Sequence, residues 1–138
     1  MFAPAIHAID WNYPMYRALF VTAASLALIA PAHAAPGDMN VATFLAKADA
    51  LKAKGPAALF SSDLKLLKSE GEAAGADYRA RLNAERAAGR PSSCPPKGAK
   101  VNSDKLLTFL RSYPEHARPR TSMKQAIGDF FARSYPCN

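Results

Sequence analysis

The stretch Met15–Ala34, MYRALFVTAASLALIAPAHA, limits what this chain can fold, because its pattern marks it for removal. Arg17 supplies a positive start, and Ala18–Ala30 is an uncharged, weakly apolar run. Pro31 ends the run, and Ala32-His33-Ala34 is the small-x-small pattern that a signal peptidase reads. A bilayer span needs about 20 apolar residues, so the run predicts a cleaved secretory signal rather than an anchor. Cleavage is expected between Ala34 and Ala35, with the product in the periplasm and no stable membrane insertion afterwards. Asp10, Trp11 and Asn12 do not suit a basic leader start. Translation is therefore expected to begin at Met15, and Met1–Pro14 belongs to no fold.

Ala35–Asn138 then carries the folded domain, 104 of the 138 residues. That is enough for one hydrophobic core, near the lower end of domain size. The net charge is +7, and losing Asp10 and Arg17 leaves it unchanged. Export argues against nucleic acid as a partner. The basic residues are also interspersed with acidic ones, as on a solvated mixed-charge surface. Both cysteines, Cys94 and Cys137, fall in the exported part. In an oxidising compartment a pair reads as a disulfide. Its loop spans 43 residues, worth roughly 4 kcal/mol in the chain-entropy model. A metal or redox role is not expected, since neither cysteine sits in a CxxC and His116 is the only histidine after Ala34.

The spacing of apolar residues predicts an all-α bundle of about four helices, near 41–54, 62–88, 103–113 and 122–134, with no sheet. Phe44, Leu45, Ala48 and Leu51 mark the first, which Gly55-Pro56 stops. Leu59 and Phe60 are expected to plug the core. Ser61-Ser62-Asp63 caps the second helix, whose face runs Leu64, Leu67, Gly71, Ala74, Tyr78 and Leu82. Gly71 and Gly75 cost a helix interior about 1 kcal/mol each, which predicts either a close contact there or a break. Arg90–Lys100 is a proline-rich connector holding Cys94. Asn102 or Ser103 caps the third helix, with Leu106, Leu107, Leu110 and Tyr113 as its stripe. Ser122 and Gln125 form a capping box for the last, with Met123, Ala126, Ile127, Phe130 and Phe131 inward. Ala35–Asn40 reads as a short tail. Phe109–Pro114 and Phe130–Pro136 echo each other, each tucking an aromatic under a helix end before a proline.

Residues that carry catalysis converge in a site, and no such set is legible. His116 stands alone between Glu115 and Ala117. Ten acidic residues follow Ala34, and none stands in an apolar stripe that singles out a pair for glycoside chemistry. No phosphate-binding glycine loop, haem motif or metal-ligand cluster appears. The chain is expected not to be an enzyme and to use no cofactor.

From Cys94 onward the sequence resembles the C-terminal half of the Rap/Tai family. Those are exported immunity proteins that neutralise cell-wall amidases delivered by type VI secretion. The shared pattern is Cys94-Pro95-Pro96, then a polar cap and a helix with Leu106, Leu107 and Leu110. A Pro114-Glu115 turn and an amphipathic helix ending in Tyr135-Pro136-Cys137 complete it. The first half departs from the family, which commonly carries a further cysteine pair there. The resemblance implies a small all-α exported protein that self-associates as a homodimer and acts by binding a secreted amidase effector. It fixes no partner-contacting residue. Two alternatives stand beside it. One is a periplasmic acid chaperone of the HdeA type, which a client-refolding assay at about pH 2–3, where carboxylates protonate, separates. The other is an envelope protein of structural role.

Overall fold

In the computed structural model, residues 35–137 are described. The signal segment Met15–Ala34 and the expected start at Met15 lie outside them. Each helix begins at a side chain that satisfies an otherwise orphaned backbone N–H. Asn40 accepts from the Thr43 N–H at 2.8 Å and opens α1, Val41–Lys54. Gly55, at φ 55°, ends α1 and leads into the 3-10 turn Gly55–Phe60. Ser61 accepts from Asp63 and opens α2, Ser62–Ala87. Asn102 accepts from Lys105 at 3.1 Å and opens α3, Ser103–Arg111. A short 3-10 turn, Arg118–Arg120, precedes Ser122, which accepts from Gln125 and opens α4, Met123–Ser134. The all-α architecture with one disulfide is the one expected. α3 stops two residues early because Pro114 disfavours a helical Tyr113.

One core joins all four helices. α1 contributes Val41, Phe44, Leu45 and Leu51, and α3 contributes Leu106 and Leu110. α2 and α4 form the most extensive pairing. Tyr78 of α2 stacks on Phe131 of α4, with ring centroids 4.2 Å apart. Phe130 meets Phe109 of α3 edge-on at 5.5 Å. Such pairs contribute about 0.5–1.5 kcal/mol beyond their burial. They also give the repeated aromatic-before-proline pattern a physical role, since the ends of α3 and α4 pack against each other. The guanidinium of Arg81 lies against Gly128, where any side chain would displace it.

Four expectations fail. Leu64, expected on the apolar face of α2, is 38% exposed in the helix's first turn. Ala35–Asn40 is no loose tail. Its backbone pairs with the start of α4: Met123 N–H donates to Met39 O at 2.9 Å and Lys124 N–H to Gly37 O at 3.0 Å. Val41 N–H donates to Thr121 O, so Asn40 and Ser122 form an isolated antiparallel bridge. Leu59 and Phe60 do not plug the core. They are 72% and 93% exposed, because the left-handed turn at Gly55 and the ring of Pro56 swing the chain outward. Gly71 and Gly75 neither break α2 nor mark a tight contact. A Cβ on Gly71 would meet nothing within 4 Å, and one on Gly75 only the Arg79 side chain.

Candidate functional site

The connector between α2 and α3 is held down along its first half. Ser92 N–H donates to the Glu85 carboxylate at 2.8 Å. That backbone bond and the Ser92 hydroxyl hold the Glu85 carboxyl below its ordinary value, the hydroxyl being the larger cause. Ser93 is fully buried, its hydroxyl 2.8 Å from the Tyr78 hydroxyl. Cys94 N–H donates to Tyr135 O at 2.8 Å, and Cys94 is bonded to Cys137. The disulfide pairs the two residues expected, with their Cα atoms 5.0 Å apart. Four successive constraints thus fix the connector to α2 and to the end of α4.

Beyond Cys94 the connector stands away from α2 and leaves a cleft of about 950 Å³. Leu67, Gly71, Gly75, Tyr78 and Leu82 form its α2 wall, and Pro95–Val101 the opposite wall. Gly71 and Gly75 therefore have a reason: their missing side chains leave the cleft open. Lys68, Arg79 and Arg86 line it from α2, and Lys97 and Lys100 from the connector. Glu72 is the one carboxylate of the lining, and it lies 3.9 Å from Lys68. Among the described residues, Arg79, Arg86, Lys97 and Lys100 have no carboxylate within ion-pair distance. The cleft is thus apolar at its base and strongly cationic at its edge.

Sequence reading missed this site, although a signal was present. Lys68, Glu72, Gly75, Arg79, Leu82 and Arg86 recur at spacings of four, three, four, three and four. Those steps align residues on one side of a helix. The basic and glycine positions form a stripe beside the apolar one, and scattered charge in the linear sequence concealed it. Glu70 was missed as well. It is a buried carboxylate, 5% exposed, that accepts Gly37 N–H at 2.7 Å and Met39 N–H at 3.2 Å.

Of the expected site residues, Cys94 and Cys137 are joined, Ala35 is exposed, and Ala34 lies outside the described residues. His116 is exposed in the turn after α3 and does not line the cleft. Tyr113 donates to Asp129 at 2.6 Å. Burial first, and then this carboxylate, push its phenol well above the ordinary value, so it stays protonated as a structural tie between α3 and α4. Among the described residues no group of three or more His, Cys, Asp or Glu side chains could hold a metal ion. The lining of the cleft offers groups for ion pairing and for apolar contact. Neither a family model, nor a curated protein, nor a solved structure matches this chain.

Proposed function

We propose that this chain is a periplasmic binding protein of the immunity type, which holds an acidic segment of a cell-wall amidase effector in the cleft beside α2. The observation that carries this reading is the cleft itself, an apolar trough edged by five cations and one carboxylate. Buried aromatic anchors and guanidinium groups supply most of the energy at protein interfaces, and complementary charge speeds and orients encounter. The tethered connector keeps the cleft shaped before binding, which lowers the ordering cost of association. The resemblance of Cys94–Cys137 to Rap/Tai proteins supplies the class of partner. The leader-like Met15–Ala34 supports export to the compartment where such amidases act.

The test starts with the processed protein, immobilised and exposed to envelope extract or to a secreted amidase encoded beside its gene. The retained protein is then assayed on peptidoglycan. An amidase whose activity falls on adding this chain in equimolar amount is the expected result. Retention of no amidase, or of one whose activity is unchanged, overturns the immunity reading.

A further inference from the structure

A second surface lies at the start of α2, and its apolar residues are outside the lining of the cleft. The 3-10 turn Gly55–Phe60 buries none of its residues, and Phe60, at 93% exposure, projects at its end beside Leu59. Leu64, in the first turn of α2, is also exposed. Along the chain this turn is flanked by Lys52 and Lys54 before it and Lys65 after it, with Asp63 the one carboxylate between Lys52 and Lys65. Lys54 Nζ donates to Ser61 Oγ at 3.2 Å, which places its ammonium beside the residue that follows Phe60. Asp63, the one carboxylate, is engaged by Lys47 at 2.7 Å and lies 3.9 Å from Lys54. Lys52 and Lys65 are exposed, with no carboxylate within ion-pair distance among the described residues.

We propose that this tip is a peripheral docking site for an anionic lipid bilayer, with Leu59 and Phe60 entering the headgroup layer and the surrounding lysines facing the phosphates. An apolar tip within a basic surround is the combination that binds such interfaces, each part adding to the other. A ring as exposed as Phe60 suits a surface that deforms around it better than a rigid protein pocket. A symmetric contact with a second copy would bring the same lysines face to face, which disfavours self-association through this tip. Among the described residues no helix is long and apolar enough to cross a membrane, and the docking proposed here is confined to one leaflet.

The experiment is vesicle co-sedimentation of the processed protein, its N-terminus checked by mass spectrometry. Vesicles of phosphatidylethanolamine with phosphatidylglycerol are compared with phosphatidylcholine alone, and free glycerol phosphate serves as competitor. Binding to the anionic vesicles alone, weakened by salt and unmoved by glycerol phosphate, is expected. Leu59→Ser with Phe60→Ser is expected to lower partitioning about tenfold or more, from the apolar burial lost, with an unchanged circular dichroism spectrum. Lys52→Glu with Lys65→Glu is expected to lower it on anionic vesicles. No binding, equal binding to both vesicles, or binding indifferent to the Leu59/Phe60 pair overturns the proposal. So does a Leu59/Phe60 variant that turns a dimer into a monomer, because the occupant is then a second copy.

Discussion

Glu70 organises the beginning of the folded chain. Its carboxylate is buried, and both of its named partners are backbone N–H groups of the segment just before α1. Gly37 reaches it only because its φ is 90°, and a Cβ there would lie 3.1 Å from the Ala74 nitrogen. Glu70→Ala is therefore expected to cost about 1–3 kcal/mol, the penalty for a buried donor left unpaired. Gly37→Ala is expected to cost a similar amount, about 1–3 kcal/mol, from backbone strain. Urea unfolding of each variant checks both, and a loss under about 0.5 kcal/mol, the range of an ordinary surface change, contradicts the assignment. Glu70 was invisible in the sequence because it neighbours Gly71 on α2, and only the docked segment gives a buried carboxylate its partners. Tyr78 was legible as a core position, but its hydroxyl bond to Ser93 was not, since it depends on where the connector returns.

At the scale of the element, the helices were the legible part. Stripes such as Met123, Ala126, Ile127, Phe130 and Phe131 are all buried as their spacing predicts, because helix period and burial are one geometric fact. The turns were less legible. Leu59 and Phe60 are apolar in composition yet exposed, since the direction taken by the chain after Gly55 decides their burial. The two glycines of α2 offer a sharper test. Both sit in open helical positions, so Gly71→Ala and Gly75→Ala are each expected to stabilise the fold by about 0.5–1 kcal/mol. Replacement by leucine is expected to fill the cleft and weaken partner binding while leaving the fold intact. Thermal unfolding and partner titration together check this; unchanged affinity in the leucine variants would remove the glycines from the site. Cys94→Ser or Cys137→Ser is expected to cost roughly 2–5 kcal/mol, the usual loss for a small secreted domain. Each single variant is expected to match the double, because both break the same bond. Two free thiols in the denatured, unreduced protein would contradict this.

Across the whole molecule, charge bears on stability and on the proposed binding. Lys47 holds the Asp63 carboxyl below its ordinary value of 3.8, first through its hydrogen bond, and Ser92 does the same for Glu85 below 4.5. A depressed folded-state value means that the unfolded chain takes up protons first as pH falls. The stability these groups contribute is thus complete above the ordinary carboxylate range. It declines as pH drops through that range towards the lower folded values. Denaturation midpoints measured from pH 7 to pH 2 are expected to fall only below about pH 5, the upper edge of carboxylate titration. A midpoint that rises in acid would contradict the sign. Client protection in the pH 2–3 assay, where acid would loosen the fold and expose its core, would favour the acid-chaperone alternative over the immunity reading. The cleft is the other expression of this charge, and it was not legible, because its cations come from two segments that only the tethered connector brings together.

The cleft's role is tested most directly by reversing its unpaired charge with Arg79→Glu and Arg86→Glu together. Both residues are exposed, so the fold is expected to survive, as circular dichroism would show. Partner affinity, measured by titration calorimetry at low and at physiological salt, is the quantity that matters. The account predicts a loss of about tenfold or more at low salt, shrinking as salt screens the contact. Affinity equal to that of the unaltered protein at both salt concentrations would contradict it.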